Sequence, residues 1–136
     1  MNKAKLKVLL VDDDTIYQYI ASKTLEATGL TGKIITCSNG EEAFHFLEAN
    51  MNNPQELPDI ILLDVNMPVM NGWDFWHAFK NLQSPSLKDI PIFLVTSSVN
   101  DADINYAHQF SNVQDYIVKP LAKEKLSTIL NSFCVS

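Results

Sequence analysis

Short apolar runs alternate with longer stretches of helical periodicity along this chain. The first run, Leu6–Val11, is short and almost entirely apolar, and it predicts a buried strand. After it, apolar side chains recur at helical spacing between Thr15 and Thr28, which predicts an amphipathic helix. The predicted buried stripe of this helix consists of Ile16, Tyr17, Ile20, Ala21 and Leu25. Gly29 follows and is a typical helix-terminating residue.

The same alternation continues to the end of the chain and predicts an α/β fold. The predicted strands are Leu6–Val11, Lys33–Cys37, Asp59–Leu63, Pro91–Thr96 and Asp115–Val118. The predicted helices are Thr15–Thr28, Glu41–Asn50, Trp73–Leu82, Asn100–Phe110 and Ala122–Phe133. Five strands alternating with five helices predict a doubly wound parallel sheet with right-handed crossovers. We expect the flavodoxin-like strand order 2-1-3-4-5.

Size and composition restrict the class of protein. The chain has 136 residues, which predicts a single domain spanning residues 1–136. Its net charge of −6 disfavours direct nucleic-acid binding, which needs a basic face. No apolar run approaches the roughly 20 residues of a membrane helix, and no signal-peptide core follows the basic start. We therefore expect a cytoplasmic protein without membrane insertion.

Carboxylates follow two of the predicted strands at the point where each strand ends. Asp12 and Asp13 follow the first strand, and Asp64 follows the third. Because ligands bind outside the carboxyl ends of parallel strands at a switch point, here between strands one and three, we expect one acidic cluster of these three residues. Clustered like charges need a cation to stay ionised, and Mg²⁺ suits an all-oxygen site, with Mn²⁺ as the alternative. The acidic cluster indicates phosphoryl chemistry on an aspartate.

Other predicted strand ends carry residues suited to the same chemistry. Strand four ends at Thr96, whose hydroxyl can donate to phosphoryl oxygens, and Ser98 lies just beyond. Strand five leads into Lys119, which can bind a phosphoryl oxygen as a point charge. Asp14 is predicted to cap the following helix, because an aspartate directly before a helix is a common N-cap.

Four segments at these strand ends carry a family resemblance. They are Val11-Asp12-Asp13, the Asp64–Gly72 loop, Val95-Thr96-Ser97 and Tyr116-Ile117-Val118-Lys119-Pro120. With these segments in this order, the chain resembles the receiver domain of a bacterial two-component response regulator. The resemblance covers essentially the whole chain, and in length the chain is similar to the stand-alone chemotaxis-type regulators.

The resemblance assigns metal binding and phosphate acceptance to particular residues. It implies that Asp64 is the phosphoacceptor, a carboxylate nucleophile that forms an aspartyl phosphate. It implies that Asp13 and Asp64 ligate Mg²⁺ directly, together with the backbone carbonyl of Asn66, and that Asp12 acts through water.

The resemblance also assigns the residues that respond to phosphate. Lys119 would bind the phosphoryl group, Thr96 would reorient toward it, and Tyr116 would change rotamer with it. Asn66 and Ser98 occupy positions that tune dephosphorylation in the family.

The implied function is that of a stand-alone signalling domain. It would accept phosphate from a histidine kinase or a histidine phosphotransfer protein. It would then either switch an interaction face toward a downstream protein target or relay the phosphate. Such a domain catalyses only its own phosphorylation and dephosphorylation, so we do not expect an enzyme with an external substrate.

Two other classes are weighed against this interpretation. Asp12-x-Asp14 after a strand superficially suits a haloacid-dehalogenase-type phosphohydrolase. However, Ile16 stands where that pattern needs Thr or Val, no acidic pair follows Lys119, and the chain lacks room for a cap. A pseudo-receiver that binds partners without phosphorylation is the other alternative, and the intact acidic set argues against it.

Overall fold

A computed structural model describes residues 5–64, 90–96, 113–118 and 122–134 of the chain. The strands are β1 Leu6–Val11, β2 Thr31–Cys37, β3 Ile60–Asp64, β4 Ile92–Thr96 and β5 Val113–Val118. The helices are α1 Thr15–Ala27, α2 Gly40–Asn50 and α3 Lys123–Cys134, with a 3₁₀ turn at Pro54–Glu56. No helix in these described ranges is long and apolar enough to cross a lipid bilayer.

The strands form one parallel sheet in the order β2-β1-β3-β4-β5. This arrangement confirms the predicted doubly wound α/β fold and its flavodoxin-like order. All five predicted strands are present, although β2 and β5 begin two residues earlier than predicted. Two of the predicted helices, Trp73–Leu82 and Asn100–Phe110, lie outside the described residues.

The core has two layers because both faces of the sheet are covered. On one face, Leu9, Val11, Ile61 and Leu63 pack with α2 through Ala43 and Leu47. On the other face, alternate residues of the same strands pack with α1 and α3. All five residues of β3 are buried, as expected for a central strand of a parallel sheet.

Local hydrogen bonds set where the helices begin and end. The Asp14 carboxylate accepts from the backbone N–H groups of Ile16 and Tyr17, which confirms it as the N-cap of α1. At the other end of this helix, Gly29 has a φ of +73°, a conformation that glycine adopts without a steric cost.

The predicted buried stripe of α1 is partly wrong. Ala21 and Leu25 are buried, and Tyr17 is half-buried, but Ile16 is 72% exposed and Ile20 is 53% exposed. The row that faces the sheet follows the four-residue spacing Tyr17–Ala21–Leu25. Ile16 and Ile20 each precede this row by one residue, a rotation of about 100° around the helix, which turns them toward solvent.

The two sides of α1 should therefore differ in their contribution to stability. We expect Leu25→Ala to lower the free energy of unfolding by about 2–5 kcal/mol, because it leaves a cavity at a fully buried position. Ile20→Ala, on the exposed side, should change it by less than about 1 kcal/mol. Urea unfolding of both variants measures the difference. Equal losses would contradict this assignment of the buried face.

Candidate functional site

Adjacent strand ends bring three carboxylates together at one edge of the sheet. In the pairing of β1 with β3, Val11 lies opposite Leu63, so the residues that follow, Asp12 and Asp64, are neighbours. One carboxylate oxygen from each of Asp12, Asp13 and Asp64 lies within 4.8 Å of the others. Asp12 is 1% exposed and Asp64 is 4% exposed, whereas Asp13 is open to solvent. The predicted acidic cluster is therefore assembled, with one solvent-facing side.

Backbone and side-chain hydrogen bonds hold Asp12 in place. Its backbone N–H donates to the carbonyl of Cys37 on β2 at 3.1 Å. Its Oδ1 atom accepts from the backbone N–H of Asp14 at 2.9 Å. These bonds fix both the main chain and one carboxylate oxygen of Asp12 at the point where β1 turns into α1.

Gln18 joins this turn to the neighbouring strand. Its side-chain amide donates to the backbone carbonyls of Asp12 and Cys37, the latter at 2.9 Å. The first turns of α1 are thereby tied to the carboxyl ends of β1 and β2. Sequence analysis missed this residue. The signal was present, because Gln18 is a polar residue beside the row Tyr17–Ala21–Leu25 that packs on the sheet.

The three aspartates of the run after β1 have different tasks. Asp12 and Asp13 belong to the acidic cluster, whereas Asp14 caps α1. Capping turns the Asp14 carboxylate toward the helix N–H groups.

The negative charges of the acidic cluster affect the pKa of the Tyr17 hydroxyl. Burial raises the pKa of the Tyr17 hydroxyl above its usual value, and the charges of Asp12 and Asp64 raise it further. Each cause disfavours the phenolate, because a buried anion loses solvation and two nearby carboxylates repel it. The hydroxyl is therefore protonated and uncharged at neutral pH.

The acidic cluster fits a hard divalent cation. Its three side chains offer only carboxylate oxygens, which suit Mg²⁺ or Mn²⁺ better than softer metals. Cys37 lies opposite Val11 on β2, but burial, followed by the Glu42 carboxylate, raises the pKa of its thiol to about 11. A thiol that stays protonated is a poor metal ligand, so the donor set is made of oxygen.

The other predicted site residues lie at strand ends or outside the described residues. Thr96 is the last residue of β4, and Tyr116 lies on β5 opposite Leu94. Because Asp64 pairs with Val95, Thr96 follows directly at the edge of the sheet that carries the acidic cluster. Lys119, Asn66 and Ser98 lie outside the described residues.

Comparisons with known proteins converge on one family. The family model described as response regulator receiver domain matches residues 8–131. Chemotaxis protein CheY1 of Helicobacter pylori is 33% identical over 132 residues, a match that covers 93% of this chain and 98% of that protein.

Solved structures agree with this match. The crystal structure of a two-component response regulator from Cytophaga hutchinsonii has a TM-score of 0.87 and 29% identity, covering 95% of this chain and 97% of that one. The crystal structure of the Mn²⁺-bound form of response regulator Rcp1 has a TM-score of 0.71 and 26% identity. That second match covers 93% of this chain and 90% of the other.

The acidic cluster should make folding stability depend on divalent cations. We expect Mg²⁺ to raise the melting temperature of the wild-type protein, because an ion that binds only the folded state stabilises it by mass action. Asp13→Asn should lose this response and, without metal, should melt no lower than wild type, since one repelling charge is gone. Thermal unfolding at constant ionic strength measures both effects.

Asp14→Asn is the matched control. It removes a charge from the same run but keeps a good helix cap, so its response to Mg²⁺ should match that of wild type. An undiminished Mg²⁺ response in Asp13→Asn would contradict the metal assignment.

Proposed function

Because the chain belongs to the response regulator receiver domain family, we propose that it accepts a phosphoryl group from a phosphohistidine donor onto Asp64 in a Mg²⁺-dependent reaction. The observation that supports this most directly is the convergence of Asp12, Asp13 and Asp64 at the carboxyl ends of the neighbouring strands β1 and β3. A carboxylate nucleophile needs a site that tolerates the approach of a second anion. The residues around Asp64 are suited to hold the cation that permits this.

Asp64 is the proposed nucleophile. It ends a strand that is buried along its whole length, so its backbone is rigidly held. A carboxylate oxygen of Asp64 would attack the phosphorus atom, forming an O–P bond while the P–N bond of the phosphohistidine breaks. The leaving imidazole takes up a proton, and the product is an aspartyl phosphate.

The remaining site residues have proposed roles that follow from the family. Asp13 and Asp64 would hold Mg²⁺ with the backbone carbonyl of Asn66, and Asp12 would contribute through water. When bound, the ion neutralises the carboxylates and stabilises negative charge on the transferred oxygens. The existence of an Mn²⁺-bound form of response regulator Rcp1, whose structure is similar to this chain, supports the binding of a divalent cation. Lys119 and Thr96 would bind phosphoryl oxygens.

The exposed apolar residues of α1 suggest where the donor protein docks. Ile16 is 72% exposed, Tyr19 is 65% exposed and Ile20 is 53% exposed, and their spacing places them side by side. We call these three residues the α1 apolar face. It begins at the same end of α1 as the acidic cluster, so a protein resting on it can present a phosphohistidine to Asp64.

The size of the α1 apolar face favours a brief contact. Three side chains bury far less than the roughly 800 Å² per partner of a standard stable interface. The charged residues of α1 in this region, Lys23 and Glu26, pair with each other at 3.6 Å, which leaves the helix without a strong net charge. A donor that transfers phosphate and leaves fits such a surface better than a permanent subunit does.

The output is proposed to be a protein–protein contact. Phosphate on Asp64 would draw Thr96 toward it, change the rotamer of Tyr116 and bias the segment Asn100–Phe110. Onward transfer of the phosphate is the alternative output. A single domain over residues 1–136 and a cytoplasmic location stay predictions.

Asp64 should be the sole phosphoacceptor. After incubation with acetyl phosphate and Mg²⁺, followed by borohydride trapping, mass spectrometry should locate the modification at Asp64. Asp64→Asn should lose it, because an amide cannot act as the nucleophile. Asp14→Asn, which neutralises a nearby aspartate outside the acidic cluster, should be labelled like wild type. Label retained by Asp64→Asn at wild-type extent would refute the assignment, and continuous phosphate release from added esters would favour a phosphohydrolase.

The α1 apolar face should matter for protein donors and not for small ones. We expect the double variant Ile16→Ser/Ile20→Ser to accept phosphate at least about tenfold more slowly from a histidine kinase that labels wild type, since buried apolar anchors carry much of an interface's energy. Labelling by acetyl phosphate, which needs no docking face, should be unchanged. Equal slowing with both donors would show that the substitutions disturb the acidic cluster itself.

A further inference from the structure

Gln18 connects two neighbouring strand ends beside the acidic cluster. It lies near the beginning of α1 and is half-buried. Its side-chain Nε2 atom donates to the backbone carbonyl of Asp12 and, at 2.9 Å, to that of Cys37. A glutamine amide carries two N–H groups, so each carbonyl can receive one of them. We call these two hydrogen bonds the Gln18 bridge.

The Gln18 bridge extends the connection between β1 and β2 beyond their last paired residues. In the ladder between these strands, the last pair is Val11 opposite Cys37. The next backbone bond runs from the Asp12 N–H to the Cys37 carbonyl at 3.1 Å. Gln18 adds a donor to the carbonyl of Asp12 itself. Both peptide groups that flank Asp12 are therefore held, one by β2 and the other by α1.

The carbonyl that Gln18 holds belongs to the peptide group between Asp12 and Asp13. A peptide group is planar, so fixing its carbonyl also fixes the N–H of Asp13 and the direction of the chain there. Asp12 is buried, and its Oδ1 atom accepts from the Asp14 N–H at 2.9 Å. Asp13, in contrast, is exposed, so little packing surrounds its carboxylate. The position of the Asp13 carboxylate therefore depends on the backbone that Gln18 holds.

We propose that Gln18 is a positioning residue of the metal site, which raises the affinity for Mg²⁺ by holding the backbone between Asp12 and Asp13. This inference rests on the proposed function, since it assumes that the acidic cluster binds Mg²⁺. Because Mg²⁺ demands nearly ideal octahedral geometry, ligands that are in place before the ion arrives bind it more tightly. Loss of a partner that orients metal ligands typically lowers metal affinity by 10–100-fold.

The test compares two substitutions that each replace a side-chain amide by an apolar group of similar size. Gln18→Met removes both donors of the Gln18 bridge. Asn50→Leu is the matched control, because the half-buried Asn50 amide also donates to a backbone carbonyl, that of Phe46 at 2.8 Å, but at the last residue of α2. Calorimetric titration with Mg²⁺ should give a dissociation constant about tenfold higher for Gln18→Met and one within about twofold of wild type for Asn50→Leu. Urea unfolding without metal should lower the midpoint of both variants, since each loses hydrogen bonds to backbone carbonyls.

The comparison of affinity with stability separates a positioning role from a purely structural one. Mg²⁺ affinity of Gln18→Met that is unchanged or tighter would overturn the proposal, whatever the stability of that variant. An equal loss of affinity in Asn50→Leu would also overturn it, because affinity would then follow stability rather than the Gln18 bridge. If the wild-type protein itself binds no Mg²⁺, the proposed function fails along with this inference. Wild-type binding with an unaffected Gln18→Met contradicts the inference alone.

A second measurement uses the metal-free wild-type protein and does not depend on how Gln18→Met folds. If the Gln18 bridge forms before the ion arrives, the Gln18 side-chain amide is ordered on the picosecond-to-nanosecond timescale. Gln55, exposed in the 3₁₀ turn Pro54–Glu56, provides the mobile reference. Nitrogen NMR relaxation should give an order parameter above about 0.6 for the Gln18 amide and below it for the Gln55 amide. A Gln18 amide as mobile as that of Gln55 would overturn the proposal.

Discussion

The parallel pairing of β1 with β3 is the constraint on which the site depends. With Val11 opposite Leu63, the next residue of each strand end is an aspartate, and the two carboxylates become neighbours. A shift of one residue in this register would turn every side chain of the shifted strand to the other face of the sheet. The apolar residues that hold the register are therefore also the residues that assemble the acidic cluster.

Burying two carboxylates beside each other works against folding, and the surrounding structure offsets this cost. Both faces of the sheet are covered by apolar layers, which supply most of the stabilisation. Gln18 ties the ends of β1 and β2 together, and Asp14 starts α1 without joining the cluster. A divalent cation would relieve the remaining repulsion, so ion binding and stability are physically linked at this edge of the sheet.

The thirteen residues of helix α1 include core residues, a residue influenced by the acidic cluster and an exposed apolar face. Ala21 and Leu25 anchor it to the core, Tyr17 packs on the same core layer where the charges of Asp12 and Asp64 act on its hydroxyl, and the α1 apolar face is open to solvent. A protein that contacts the exposed side is thus separated from the chemistry by a single helix. The proposed docking of a donor and the proposed phosphate transfer would thus use the same element.

The sequence by itself determined the five strands, the three helices among the described residues, the parallel arrangement of the sheet and the residues of the acidic cluster. Strand patterns of buried apolar residues ended in carboxylates, and the alternation of strands with helices left little freedom in topology. It also identified Asp14 as a helix cap, because capping depends on neighbours only a few residues away.

Only the tertiary structure decided which side of α1 is buried. Ile16 and Ile20 are apolar at helical spacing, yet whether they meet the sheet depends on how the helix is rotated, which packing sets across the whole domain. The bridge from Gln18 to Cys37 and the charges acting on Tyr17 likewise join residues on different elements. The local sequence pattern predicts the period of a helix but not how the helix is rotated against the sheet. Nor does it show which distant carbonyl or carboxylate a polar side chain will reach.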